Sequence, residues 1–561
     1  MSRPKYPFEL YAAEPVNSLR EIVSFAAEHY GERTAFVYQE KITDTPVKIS
    51  YLQYEQDIKK VATGLVQALK IDLTRRDSKK IAILAPNSYW WSVVYLAVVN
   101  INQVIVPLDP NLPAEDLITF IQRAGVSSIV FAPGIEGKIA QMKTALAKIE
   151  HYIGLKESAQ ATITLDKIIR TGERLLHKKP SFYDEIAVFP EALATVIFTS
   201  GTTSTPKGVM LTHKNLATDV CIMKQFLHFD REITLSMLPL YHSYEFTFGL
   251  LLQIYSGTTI YYLPGGLPAF QENLAKVRPT MLILVPLIVE ETYRRVRATL
   301  SHPDDRRELA DALKEYFGGR VTRIFDGGAP INSDIAAVYS DCGIELIQGY
   351  GITECSPVVC LNPDRLCRSV SVGLPLPGVR VKLHDKGEDG VGEVIVRGPI
   401  VMLGYYKDER QTDLAVVDNW FYTGDFGRFD DDGFLYIVGR KKNVIVGKNA
   451  KKVYPEEVEY HLTCQPEIRE AMVYGKQIDD DTKVAALLVL DRENLAKTHP
   501  ELPTNPTSKQ ISTVVDKVID RVNSANVKYK HILSWEITDA LPRTTTGKIK
   551  RAKNHLPAGA K

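Results

Sequence analysis

A chain of 561 residues exceeds what one compact core supports, at roughly 100–200 residues per domain, and predicts several packed units. Hydrophobic residues at 45% and charged residues at 24% exclude a collagen-like, coiled-coil or disordered chain. A net charge of +1, from 68 Lys and Arg against 67 Asp and Glu, excludes a broad phosphate-backbone footprint and with it nucleic acid, while a local basic patch can still meet a small polyanion.

In chain order, the opening MSRPKYPFELYAAEP has no apolar run behind its basic residues and predicts no secretory signal. EQDIKKVATGLVQALK (55–70) carries apolar residues at helical spacing, and IAILAP (81–86) predicts a buried strand. The most apolar stretch, 90–108, is broken by Ser92, Asn100, Asn102 and Gln103, short of the about 20 apolar residues of a membrane span. QVIVPLD (103–109), SSIVFAP (127–133), ATVIFTSG (194–201) and MLILVP (281–286) are further strands, with a helix at AEDLITFIQRAG (114–125). Continuous apolar strands separated by amphipathic helices predict parallel sheets covered on both faces, hence an α/β fold. From about 370 the texture changes to short strands with Gly and Pro turns, predicting a small β-barrel-like subdomain at about 365–438. Residues 444–561 read as a small α+β domain joined through the charged link 439–443, with 498–510 a surface loop.

Six cysteines without a close CxxC pair indicate neither a disulfide framework nor a zinc ribbon, and predict a reducing, cytoplasmic setting. Cys355, Cys360 and Cys367 lie near one another, for which ordinary packing is the expected explanation.

The strongest local signal is ATVIFTSGTTSTPKGVMLTH (194–213). A buried strand runs into Thr199, Ser200, Gly201, Thr202 and Thr203, then Lys207, so small donors and one ammonium can approach polyphosphate oxygens. Pro206 and Gly208 flank the lysine where a Walker A loop needs glycine and Ser or Thr, so an ordinary P-loop is disfavoured. Four more segments follow: FDGGAPINSD (325–334), IQGYGITECSP (347–357), FYTGDFGRFDDDGFLYIVGRKKN (421–443) and LPRTTTGKIKR (541–551). The acidic run Asp430–Asp432 between apolar strands reads as a solvated turn rather than a metal site. No GxSxG or HExxH motif supports a hydrolase.

Taken in this order, the motifs resemble the adenylate-forming superfamily of acyl-CoA synthetases, nonribosomal-peptide adenylation domains and luciferase, over most of the chain. The resemblance implies a large N-terminal domain (1–438) of two α/β subdomains plus the β-rich part, a hinge (439–443) and a small mobile C-terminal domain (444–561). It implies that the Thr199–Lys207 loop holds the outer phosphates of ATP. It places Gly328, Ala329 and Pro330 along adenine, Tyr350 stacked on the base, Thr353 at the α-phosphate and Glu354 on Mg2+, a cation that wants carboxylate and phosphate oxygens together. It gives Asp425 the ribose hydroxyls, Arg440 a supporting contact, and Lys548 the catalytic position beside carboxylate and phosphate oxygens.

MLPLYHSYEFTFGLLLQIYSG (237–257) resembles the family's acyl-pocket segment, with His242 near the reacting carboxylate; residues 246–254 line a tunnel or form a buried helix. GRKKNVIVGKNAKKVYPEEVE (439–459) is similar to long-chain acyl-CoA synthetases, with Lys442 at the hinge position. Ala450 departs from the glycine many relatives carry, and Lys448, Lys451 and Lys452 are candidates for the coenzyme's phosphates. The expected reaction is acid plus ATP to acyl-AMP and pyrophosphate, then transfer to coenzyme A. A phosphopantetheine arm on an acyl carrier protein as acceptor, a non-catalytic nucleotide-binding regulator, and peripheral membrane contact stay open.

Overall fold

The computed structural model describes residues 6–41, 43–74, 78–199, 206–303, 305–328, 331–447, 451–478, 481–543, 549 and 551. The chain divides into two units, Met1–Val381 with Val396–Phe421, and Lys382–Ile395 with Tyr422–Lys561.

The first unit is built on the predicted apolar strands. Its largest sheet runs Gly404–Tyr405, Lys207–Thr212, Leu193–Thr199, Val104–Pro107, Lys80–Leu84, Ser128–Phe131, His151–Gly154 and Ile163–Thr164. The last six strands are parallel neighbours, and the two at the other edge pair antiparallel. Met281–Leu284 belongs instead to a second sheet, parallel to Arg323–Gly327 and Glu345–Gly351, with Val358–Leu361 and Leu374–Pro375 folding back antiparallel. A third, four-stranded sheet holds Ile233–Leu235, Thr259–Tyr262, Thr34–Tyr38 and Val47–Ser50. Hydroxyl residues set where helices begin: Ser50 caps Tyr51–Ala68, Ser88 caps Tyr89–Val99, and Thr212 forms a reciprocal capping box with Asn215.

The apolar stretch after residue 88 is thus a helix of 11 residues, buried on nearly every side. That explains its lack of polar periodicity, since a helix hydrophobic all round belongs in a core. Among the described residues no helix is long and apolar enough to cross a membrane. All six cysteines are free thiols, and among the described residues no group of three or more His, Cys, Asp or Glu could hold a metal ion.

In the second unit a sheet of Ile468–Ile478, Asp481–Leu490 and Ile532–Ile537 is covered by the helices Pro455–Thr463 and Ser508–Ser524. Val515, Val518, Ile519 and Val522 form the buried stripe of the longer helix against Val458, Leu462, Ala486 and Leu488. Each of the Val, Ile and Leu side chains contributes about 1.5–3 kcal/mol by leaving water. The surface loop read at 498–510 ends in a cap, because Thr507 and Gln510 bond reciprocally and start the helix at Ser508.

Candidate active site

The residues singled out by sequence fall in both units. In the first unit Thr199 ends one strand and Lys207 begins its antiparallel partner, directly across from it. Lys207 is therefore the first residue of a return strand rather than part of a loop. Its ammonium donates to Gln411 Oε1 at 2.7 Å and lies 4.6 Å from the centroid of the Tyr405 ring. Ser200, Gly201, Thr202 and Thr203 lie outside the described residues.

Glu354 sits in the short helix Thr353–Cys355, immediately after the strand that carries Tyr350. Gly351 makes this placement possible: a Cβ there would come within 2.1 Å of the Pro357 carbonyl oxygen, so only glycine lets the chain fold back so tightly. Glu354 Oε1 accepts from the Tyr405 hydroxyl at 2.8 Å, and its carbonyl accepts from Met402 N–H at 2.9 Å. Burial first, then the neighbouring Glu354 charge, raise the Tyr405 hydroxyl well above its ordinary range, so it remains a donor. Thr353 Oγ1 lies 3.0 Å from Ser243 Oγ. Tyr405 thus contacts both the carboxylate and the lysine of the two strongest motifs.

Tyr350, 8% exposed, lies beside the strand Arg323–Gly327, where Gly327 is level with Gly349. Gly328 follows at the carboxyl end of that strand, where among the described residues no atom beyond its chain neighbours lies within 4 Å of where a Cβ would stand. The carboxyl ends of neighbouring parallel strands are where open α/β sheets bind ligands. Ala329 and Pro330 lie outside the described residues.

His242 is half-buried, its ring 4.7 Å from that of Tyr241, and its carbonyl accepts from Phe246 N–H at 3.0 Å. It leads into a π-helix, Glu245–Leu251, continued by the α-helix Leu252–Ser256, with every residue of both buried. The apolar stretch after His242 is therefore a buried helix, and π turns of this kind recur at functional sites. Glu245 is buried within it, accepts from Ser236 Oγ at 2.5 Å, and has its carboxyl pushed up to about 8 by burial, against the pull of the Ser236 bond.

In the second unit Asp425 and Arg440 stand opposite each other on paired antiparallel strands, Arg440 Nε 3.0 Å from Asp425 Oδ1. Asp425 is buried while the Arg440 side chain is half-exposed. The strand Trp420–Phe429 bends just before Asp425 at Gly424, whose φ of +72° is in the left-handed region. Lys442 is exposed within the short helix Lys441–Asn443. Asp430 closes a hairpin by accepting from the N–H groups of Asp432 and Phe434, at 3.1 and 2.9 Å, which accounts for the acidic run as a turn. Lys452 lies over the Phe426 ring, 5.3 Å from its centroid. Lys548, Lys448 and Ala450 lie outside the described residues.

Tyr405, Gln411 and Ser243 are absent from the sequence reading. GYYKDERQTDLA (404–415) signals only a Gly-Tyr pair before a polar helix, and no spacing rule links residue 405 to residue 354. As a cation site, Glu354 with Thr353 offers hard oxygen donors but no closed cage. That fits Mg2+, which is commonly held by one or two carboxylates together with substrate phosphates.

The profile of the AMP-binding enzyme family matches residues 23–406. The chain belongs to that family. This AMP-binding enzyme is 26% identical over 588 residues to the long-chain-fatty-acid–CoA ligase of Salmonella typhimurium, covering 98% of this chain and 96% of the relative. It is 28% identical to fatty acyl-CoA synthetase B of Dictyostelium discoideum, over 82% of this chain and 75% of that one. Among solved structures, an anthranilate CoA ligase in complex with anthranoyl-AMP aligns with a TM-score of 0.78 at 18% identity, over 97% of this chain and 96% of the other. The o-succinylbenzoate CoA synthetase of Bacillus subtilis, in complex with its acyl-adenylate, aligns with a TM-score of 0.73 at 20% identity, over 98% and 100%. These likenesses show that the AMP-binding enzyme has the α/β fold of that group.

Proposed function

We propose that this AMP-binding enzyme is a fatty acid–CoA ligase acting in two steps. The acid's carboxylate attacks the α-phosphorus of ATP, the bond to the β-phosphate oxygen breaks, and pyrophosphate leaves with an acyl-adenylate formed. The thiol of coenzyme A then attacks the acyl carbon, loses its proton, and displaces AMP. The observation that carries this reading is the Glu354–Tyr405–Lys207 arrangement within a chain that matches long-chain-fatty-acid–CoA ligases almost end to end.

Lys207, with Thr199, Ser200, Gly201, Thr202 and Thr203, is assigned the outer phosphates, and Glu354 with Thr353 the Mg2+. When bound, that cation supplies charge neutralisation between phosphate oxygens. Tyr350 with Gly328, Ala329 and Pro330 is assigned adenine, and Asp425 with Arg440 the ribose. Lys548 is assigned the oxygens of the two reacting anions, where a fixed ammonium counts most as charge redistributes. His242 is assigned the mouth of the acyl pocket, and a hinge at Lys442 exchanges the two half-reactions by rotation of residues 444–561. The fatty acid is of medium or long chain. Six free thiols support a reducing, cytoplasmic setting.

Pyrophosphate release across acetate, medium-chain, long-chain and aromatic acids, with coenzyme A or a holo acyl carrier protein as acceptor, tests the reading. Turnover restricted to fatty acids, with thioester on coenzyme A, is expected. Thioester on the carrier protein alone would replace the acceptor, and no exchange with any acid would leave a nucleotide-binding regulator.

A further inference from the structure

Glu393 is 4% exposed, yet it is a carboxylate, and a buried carboxylate needs partners for both oxygens. Its Oε1 accepts from Gly424 N–H at 3.2 Å, and its Oε2 accepts from the Lys441 ammonium at 2.6 Å. The first partner directly precedes Asp425 in its strand, and the second directly precedes Lys442. One buried side chain therefore touches both the strand that carries the assigned ribose residue and a residue within the hinge 439–443.

The strand bend at Gly424 has further fastenings. Thr423 Oγ1 donates to the Val394 carbonyl at 2.7 Å and accepts from Asp425 N–H at 3.0 Å. On the other side of the short helix, Asn443 donates to Glu456 Oε1 at 2.6 Å. Glu456 Oε2 is buried and would lie 2.6 Å from a Cβ at Gly439, so no side chain fits there without a shift. Two residues of 439–443 are thus held, Lys441 at its middle by Glu393 and Asn443 at its end by Glu456.

We propose that Glu393 is a positioning residue that ties the strand bend before Asp425 to the middle of the hinge at Lys441, fixing the pivot about which the C-terminal segment turns. The functional half of this inference rests on the acyl-CoA ligase reading; the tether itself does not. The two oxygens divide the work. Through Gly424 the carboxylate supports the strand bend that presents Asp425, and through Lys441 it anchors the pivot. Glutamine at 393 keeps a carbonyl oxygen for Gly424 N–H but turns an amide donor toward Lys441, so Glu393→Gln separates the two duties.

The test has two arms on the full-length protein. Trypsin cleavage after Arg440, Lys441 and Lys442 reports opening of the hinge without reference to activity, since cleavage tracks the population of the opened form. With Lys441 half-exposed, loss of its ion pair should accelerate that cleavage about three- to fivefold in Glu393→Gln. An unchanged cleavage rate overturns the tether. In the activity arm, Glu393→Gln should keep ATP–pyrophosphate exchange and the KM for ATP within about twofold while acyl-CoA formation slows about three- to fivefold. Lys441→Met should match it, and the double variant should be no slower than either single one, because both remove the same link. Equal slowing of both half-reactions, or effects that multiply in the double variant, overturns the positioning role. Faster trypsin cleavage in a protein whose wild type exchanges no pyrophosphate would retain the tether and reject the ligase reading.

Discussion

Tyr405→Phe removes one hydroxyl from the centre of the site and leaves the ring. The hydroxyl donates to Glu354 at 2.8 Å, from a residue only 6% exposed, so water replaces it poorly. A hydrogen bond to a charged group contributes about 1.5–3 kcal/mol, and the partial exposure of Glu354 puts this one toward the lower end, about 1.5–2 kcal/mol. That corresponds to roughly 10- to 30-fold in a binding or rate constant. The bond engages one oxygen of Glu354 and leaves the carboxylate's other oxygen to meet a cation, so its loss should let the carboxylate swing. The expected result is a roughly 10-fold higher Mg2+ concentration at half-maximal ATP–pyrophosphate exchange, with kcat for exchange falling less. Tyr405→Leu should cost a further factor of about 3, since the ring under the Lys207 ammonium goes as well. Exchange assays titrated with Mg2+ at saturating ATP decide this. A Mg2+ requirement that stays the same or falls in Tyr405→Phe would show that the hydroxyl competes with the cation, and would refute the positioning argument.

Three further outcomes follow from the same geometry. With the Glu245 carboxyl at about 8 in the folded protein against 4.5 unfolded, the stability of the neutral acid is complete below pH 4.5 and lost as pH rises through about 8, a swing of about 4–5 kcal/mol. Glu245→Gln should therefore gain stability relative to wild type between pH 5 and pH 9 in urea unfolding followed by tryptophan fluorescence; a difference constant with pH would contradict a buried neutral acid. Asp425→Ala should weaken ATP binding by about 2 kcal/mol, roughly 30-fold by calorimetry, with little change in melting temperature because its partner Arg440 is half-exposed. Lys548→Ala should slow acyl-adenylate formation roughly 100- to 1000-fold, and adenylation at the wild-type rate would remove the lysine from the chemistry.

The fold class was legible because its signals are local. Runs such as IAILAP and SSIVFAP have one structural outcome when amphipathic helices lie between them, and they become parallel neighbours in the largest sheet. The strand Met281–Leu284 carries the same signal but joins a different sheet, since strand pairing is a long-range choice that apolar character does not encode. The site divides in the same way. Lys207, Glu354 and Asp425 stand in short motifs that a reader meets as units. Tyr405 and Ser243 reach Glu354 and Thr353 from 51 and 110 residues away in sequence, with no composition signal of their own. Glu245 was hidden among aromatics in a buried π-helix, where an acidic side chain contradicts its surroundings and the Ser236 contact helps to explain its place.

Following oxygen from the acid is the most direct test of the central claim. With a fatty acid carrying 18O in its carboxylate, ATP, Mg2+ and coenzyme A, mass spectrometry of the products should find one 18O in each AMP and none in pyrophosphate, because the attacking oxygen stays on the α-phosphorus when the thiol takes the acyl group. AMP without the label, or labelled phosphate released beside ADP, would contradict an acyl-adenylate intermediate.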